Sequence, residues 1–122
     1  MKKLNALLVL MLLCAVSFAQ SPERFNYQAV VRDATGASVV NQLVGVKVTI
    51  LSGSSTGPEV YSETHGATTN TYGLVSLQIG GGTVSGPALS TIDWGANSYF
   101  VKIEIDPTGG TSYAISSVSQ LV

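Results

Sequence analysis

The strongest constraint on the fold is the alternation of apolar and polar residues in the stretch LVGVKVTIL, residues 43–51. Its apolar side chains recur at every second position: Val44, Val46, Val48 and Ile50. A period of two places these side chains on one face of a β-strand, because successive residues of a strand point to opposite faces. Strands that bury one face are typical of antiparallel sheets, so this stretch predicts a sheet packed against a core on one side.

Three other stretches repeat the alternation. In YFVKIEID, residues 99–106, the predicted core residues are Val101, Ile103 and Ile105, and the residues predicted to face water are Lys102, Glu104 and Asp106. In GLVSLQIG, residues 73–80, the inward side chains are Val75, Leu77 and Ile79. In RFNYQAVV, residues 24–31, they are Phe25, Tyr27, Ala29 and Val31.

Turn-forming residues separate these stretches, and no window carries a helical period. The predicted turns are DATG at 33–36, SGSSTGP at 52–58, TNTYG at 69–73, GGG at 80–82 and DPTGG at 106–110. Short strands with frequent turns predict an all-β fold, an antiparallel β-sandwich of about seven strands. Residues 80–98 form the longest connection, which we expect to cross between the sheets.

The N-terminus has the features of a secretory signal peptide. Lys2 and Lys3 precede an apolar segment at residues 4–18, and the small residues Ser17 and Ala19 predict cleavage between Ala19 and Gln20. The segment is shorter than the roughly 20 residues of a transmembrane helix, so membrane contact is expected only through the transient signal. The predicted organisation is a signal peptide at 1–19, a short linker at 20–24 and a sandwich domain at 25–122.

Cleavage at this site would remove the only cysteine, Cys14. Lipidation of Cys14 is the alternative, but the residue before it, Leu13, is larger than lipidation signals use, and the following AVSFAQ is too apolar for a tether. The mature chain would then have no thiol for a disulfide, a metal site or a nucleophile. Its four scattered basic residues against seven acidic ones give a net charge of about −3, which excludes nucleic acid as an expected partner.

Three long blocks of the sequence carry a family resemblance: FNYQAVVRDATG, TTNTYGLVSLQIGGGT and TIDWGANSYFVKIEIDPTGGTSYAISSVSQL. Together they resemble the N-terminal β-sandwich module of many secreted and cell-surface proteins of the Bacteroidota. More distantly, TTNTYGLVSL is similar to the prealbumin-like, carboxypeptidase regulatory-type domains, which leaves the expected sandwich either immunoglobulin-like or prealbumin-like. The resemblance implies a non-catalytic structural or interaction module that displays or assembles downstream regions.

In that family the chain continues past SQL into a further apolar segment, whereas this sequence stops at Leu121 and Val122. We therefore expect a domain truncated at its C-terminal end, whose partners are a downstream segment of the same polypeptide or other surface proteins. Two alternatives stay open. The first is a glycan- or peptide-binding domain that works alone, and the second is an accessory domain of a larger exported hydrolase.

Catalytic residues are not predicted. The only histidine, His65, shares a strand face with Glu63, and such a pair can act as a general base, but catalysis also needs a nucleophile and a pocket. The stretch GSSTG, residues 53–57, fits G-x-S-x-G, but it lies within a predicted turn with no helical pattern after it, so no nucleophile elbow is predicted. One histidine without cysteine cannot build the usual nitrogen and sulfur metal sites, and no cofactor is expected.

Two weaker candidates involve the stretch IDWGAN. Asp93 and Asn97, together with Asp106, could offer oxygen ligands to calcium, but their spacing matches no calcium loop, and turns use such side chains for their own backbone bonds. Trp94 is the candidate ligand contact, as a stacking platform for a sugar. The favoured interpretation is that Trp94 fills the core at a sheet edge.

Overall fold

The computed structural model describes residues 24–121, and its regular structure is almost entirely β. Seven strands follow in chain order: β1 Phe25–Val30, β2 Leu43–Ser52, β3 Glu59–Thr68, β4 Leu74–Ile79, β5 Thr83–Ser85, β6 Tyr99–Asp106 and β7 Ile115–Gln120. A three-residue 3-10 turn, Leu89–Thr91, precedes β6. The predicted all-β class and the predicted number of strands are confirmed.

The predicted signal peptide, residues 1–19, and its cleavage site between Ala19 and Gln20 lie outside the described residues. So do most of the predicted linker and Val122. Within residues 24–121, none of the helical segments has the length and apolar character that a membrane crossing requires.

The strands form two antiparallel sheets of unequal size. The larger has the order β5-β3-β2-β6-β7, and the smaller contains β1 and β4 alone. In the smaller sheet Phe25 pairs with Ile79 and Val30 pairs with Leu74, so strands far apart in sequence are joined. The predicted crossing within residues 80–98 is confirmed, because this connection leaves the small sheet, adds β5 to the edge of the large sheet and returns as β6.

The core lies between the two sheets, and β2 forms its centre. The side chains predicted to face inward from β2 are completely buried, and those predicted from β4 and β6 are also buried. The outward face of β2, which lies between β3 and β6, is also largely covered, and Thr49 is buried there. The alternation therefore predicted correctly which face of each of these strands packs on the core.

Two turns of the same kind fix the ends of β1 and β6. In DATG, Asp33 Oδ1 accepts hydrogen bonds from the Thr35 amide (2.9 Å) and hydroxyl (2.6 Å). In DPTG, Asp106 Oδ1 accepts the same pair from Thr108 (2.9 and 2.6 Å). Each turn ends in a glycine with positive φ, +84° at Gly36 and +88° at Gly109, a conformation that favours glycine.

The prediction that Asp106 faces water is wrong. Asp106 is only 3% exposed, because its carboxylate folds back over the turn instead of extending into solvent. Besides the contacts of Oδ1 with Thr108, Oδ2 accepts a hydrogen bond from the Ser112 amide at 3.0 Å. Lys102 and Glu104 are partly exposed, and their charged groups approach to 3.8 Å.

Candidate functional site

Four strands are edge strands: β1, β4, β5 and β7 each pair with only one neighbour among residues 24–121. A strand with one neighbour presents unpaired amide and carbonyl groups along its other side, which can pair with another chain. In the small sheet both strands are edge strands. These sheet edges are the features of the described chain most suited to binding a polypeptide.

The edge at β1 differs from the others in the burial of its side chains. Phe25, Tyr27 and Ala29 point toward the core but are only partly buried. Their register partners on β4 are Ile79, Leu77 and Val75, all of which are buried. The two strands pack on the same core, so the difference indicates that the far side of β1 is uncovered.

β1 also lacks the features that usually protect an exposed edge. The sequence FNYQAV contains no charged residue, no proline and no glycine. Protected edges carry lysine or proline, a bulge, or very few residues. β5 illustrates the last device, because it has three residues, whereas β1 has six.

A buried polar cluster lies on the inward face of β3, formed by Tyr61, Glu63 and His65. The Glu63 side chain is completely buried. Its Oε1 accepts a hydrogen bond from the Gly80 amide (2.6 Å), and its Oε2 accepts one from the Gly82 amide (2.7 Å). His65 Nε2 lies 2.8 Å from Oε2. The carboxylate therefore anchors the turn between β4 and β5 to the large sheet.

The surroundings of this cluster indicate a structural role. Burial, and next the nearby Glu63 charge, raise the pKa of Tyr61 to about 12, so its hydroxyl stays protonated at physiological pH. Gly82 packs so closely that a Cβ there would lie 2.5 Å from Glu63 Oε2 and 2.7 Å from His65 Nε2. The His65 side chain is only 13% exposed, and the space beside it is occupied by the glycine backbone.

Sequence reasoning placed Glu63 and His65 on one face, and the structure brings them together as predicted. It missed Tyr61, although the spacing in YSETH puts Tyr61 two residues before Glu63 and on the same face. It also identified GGG, residues 80–82, only as a turn. Two of these glycines donate to Glu63, a role that could be found only by knowing that β3 and this turn meet.

Trp94 packs against the core and is partly buried. Its ring meets Tyr99 edge to face, with centroids 5.1 Å apart and an angle of 69° between the planes. The Tyr99 hydroxyl donates a hydrogen bond to the Asp93 carbonyl oxygen at 2.7 Å, which holds this loop against β6. An open cleft of about 560 Å³ lies beside Tyr99, between β3 and residues 86–93, and Trp94 does not line it.

Two of the three side chains considered for calcium, Asp93 and Asp106, accept hydrogen bonds from the local backbone. Asp93 Oδ1 accepts a hydrogen bond from the Gly95 amide at 3.2 Å, and both Asp106 oxygens are used in the turn after β6. The Thr108 hydroxyl and amide lower the pKa of Asp106 below its usual value. Across the described part of the chain, no group of three or more His, Cys, Asp or Glu side chains could hold a metal ion.

A family model described as "Domain of unknown function (DUF8740)" matches residues 26–117, from β1 into β7. No curated protein and no solved structure gave a significant match to the chain. The matched range includes both sheets and the polar cluster.

Proposed function

The chain belongs to the DUF8740 domain family, and we propose that it is a non-catalytic structural or interaction module of a secreted or cell-surface protein. The observation that supports this proposal best is the number of one-sided strands, β1, β4, β5 and β7, in so small a domain. Such edges allow assembly by strand pairing, in which backbone hydrogen bonds bind the partner. The partner is a polypeptide, either another surface protein or a further segment of the same one.

The buried Glu63 cluster fits this proposal better than a catalytic role. A general base must reach the proton it abstracts, yet both Glu63 oxygens already accept backbone hydrogen bonds and the side chain has no exposed surface. These hydrogen bonds instead fix the turn between β4 and β5 to the large sheet, which is a structural role.

Export to the surface is the second part of the proposal, and the apolar segment at residues 4–18 with its preceding lysines supports it. The first test expresses the full chain with a C-terminal tag in a Gram-negative host and determines its N-terminus. We expect processed protein beginning at Gln20 outside the cytoplasm. Unprocessed chain retained in the cytoplasm would contradict export.

Assembly is tested by introducing a photo-crosslinking amino acid at one exposed position on each edge strand, in the full chain and in its source cells. Suitable positions are Gln28 on β1, Ser76 on β4, Val84 on β5 and Ser119 on β7. We expect an adduct to a defined polypeptide segment from at least one edge, identified by mass spectrometry. Absence of adducts from all four edges would contradict an assembly function.

A glycan-binding domain that works alone is the competing proposal, and it needs an exposed aromatic surface. The cleft beside Tyr99 contains the hydroxyls and carboxylates that a sugar site uses, but Trp94 packs on the core beside it. A glycan array probed with the tagged chain separates the proposals. Saturable glycan binding that is abolished by Tyr99→Leu would favour the glycan-binding proposal.

A further inference from the structure

We propose that the uncovered edge of β1 accepts one strand from another polypeptide, an extended segment of about six residues with apolar side chains at alternate positions and acidic residues at its ends. This inference rests on the proposed assembly function and specifies its edge and its partner. The partner strand would extend the small sheet from two strands to three.

The position of β1 within the sandwich leaves room for such a strand. Among the strands of the small sheet, β4 is the one that contacts β3, near one end of the large sheet. Among the described residues, no strand of the large sheet approaches β1 as closely as β3 approaches β4, and the end of the large sheet opposite β5 is β7. β7 is exposed from Ser116 to Gln120 on both of its faces, so nothing in residues 24–121 covers this end of the large sheet.

The burial of side chains selects β1 among the four edges. A strand added beside β1 would complete the burial of Phe25 and Tyr27, which are now partly exposed. The inward side chains of β4 are already buried, so a strand there would gain less apolar contact. β7 presents the serines Ser117 and Ser119 on its inward face, and β5 has only three residues. Apolar burial is the main favourable term in association, and β1 offers the most of it.

The charges around β1 define the partner. No charged residue lies between Phe25 and Val30, so a charged side chain on the inward face of the partner strand would lose water without gaining a partner. Arg24 and Arg32 flank the strand, and both are exposed. The Asp33 carboxylate is turned toward Thr35 and Ala37 instead. Acidic residues at the ends of the partner strand would therefore complement the two arginines.

The same arginines disfavour a second copy of this chain as the partner. Two copies of β1 paired antiparallel around Gln28 would place Arg24 of one copy opposite Arg32 of the other. Like charges directly opposite one another destabilise a strand pair. A different polypeptide with acidic ends meets no such repulsion.

A synthetic peptide serves as the probe, with the β4 sequence GLVSLQIG between single glutamates, because β4 already pairs with β1 in a known register. Hydrogen exchange of the full chain is followed by mass spectrometry with and without the peptide. We expect exchange of the β1 amides to slow by about tenfold or more, with β5 and β7 unchanged. A peptide with alternate amides N-methylated should give no protection, and lysine ends should weaken binding.

Two lysine variants locate the peptide on the protein. Ala29→Lys places a charge on the inward face of β1, and Gln28→Lys places the same charge on the outward face. We expect Ala29→Lys to weaken peptide binding by about tenfold and Gln28→Lys to leave it nearly unchanged. If Ala29→Lys fails to fold, the comparison of the methylated with the unmethylated peptide on the unaltered chain decides the question.

The remaining outcomes each overturn the inference. Protection confined to β4, β5 or β7 would place the site on another edge, and absence of protection at every edge would remove the site. A chain that is dimeric without peptide, with protected β1 amides, would identify a second copy as the occupant. A monomer with β1 already protected would identify a segment of the same chain. Adducts from another edge in the crosslinking experiment would keep the assembly function while rejecting this edge.

Discussion

At the scale of single residues, Glu63 is the most informative side chain. A carboxylate without solvent contact is tolerated only where hydrogen bonds replace its hydration, and Glu63 obtains them from the Gly80 and Gly82 amides. His65 Nε2 lies against the same group. The cluster therefore ties β3 to the turn that begins the crossing between sheets.

We expect Glu63→Gln to lower the free energy of unfolding by about 3 kcal/mol, because the amide NH₂ would face a backbone donor and hydrogen bonds to a buried charge would be lost. Urea unfolding measures the change. The matched control is Glu59→Gln on the same strand, where the residue is exposed and the expected change is within about 0.5 kcal/mol. Equal small effects for both variants would contradict the anchoring role of Glu63.

Gly82 provides a second test of the cluster. We expect Gly82→Ala to cost about 1–3 kcal/mol, because its Cβ would lie 2.6 Å from the Thr64 carbonyl oxygen as well as against Glu63. Gly66→Ala is the control, since a Cβ at that position meets no atom within 4 Å. Thermal unfolding of both variants gives the comparison, and a Gly82→Ala protein as stable as the control would show that the turn shifts freely.

The sequence predicted the shared face of Glu63 and His65 because alternation within one strand is a local property. It could not predict that Gly80 and Gly82 complete the site. Gly80 and Gly82 lie 17 and 19 positions after Glu63 in the sequence. The sequence GGG by itself does not distinguish a flexible turn from a tightly packed one.

At the scale of elements, the Asp-x-Thr-Gly turn closes both β1 and β6. In each turn the threonine contributes its hydroxyl and its amide to one carboxylate oxygen, and the glycine takes the left-handed conformation. The hydrogen bonds from threonine lower the pKa of Asp33 and of Asp106. A lowered pKa means that folding favours the ionised carboxylate.

The stability contributed by Asp106 should therefore be complete above its usual pKa of about 3.8 and decline as the pH falls through its lower value in the folded state. We expect Asp106→Asn to destabilise the domain at pH 6 and to differ less from the unaltered chain at pH 3. Urea midpoints at the two pH values measure this. In a double-mutant cycle, Thr108→Val should lose much of its effect in the Asp106→Asn background. A difference independent of pH would show that the ionised Asp106 carboxylate does not stabilise the turn.

Strand positions were predictable, whereas strand partners were not. Alternation identified β1, β2, β4 and β6 and their inward faces, because packing on a single core requires it. The pairing of β1 with β4 joins residues on either side of the β2–β3 hairpin, and local pattern carries no signal for it. No alternating stretch was predicted at β3, β5 or β7, and the three residues of β5 are too few to show one.

At the scale of the whole molecule, Trp94 reports on the packing of the crossing segment. It is the only tryptophan in the chain, and its contact with Tyr99 holds it against the core. We expect the emission maximum of Trp94 to lie at a shorter wavelength in the folded protein than in the unfolded chain. The maximum should shift to longer wavelength in one cooperative step on unfolding, because Trp94 packs on the single core of the domain. Emission already at the unfolded position in the native protein would indicate an exposed ring and favour the glycan-binding alternative.

The inequality of the two sheets is the property that connects this fold to its proposed function. Five strands in one sheet face two strands in the other, and the partly exposed side chains of β1 mark where the smaller sheet stops. The sequence predicted the sandwich but not this inequality, because each strand was identified without knowledge of its neighbours.

The most direct measurement compares amide exchange along β1 in two preparations of the chain, one purified alone from a recombinant host and one kept in its native assembly on or outside the source cells. We expect residues 25–30 to exchange at least about tenfold more slowly in the native assembly, while β5 and β7 exchange alike in both. Equal exchange along β1 in the two preparations would contradict the claim that this edge binds a partner strand.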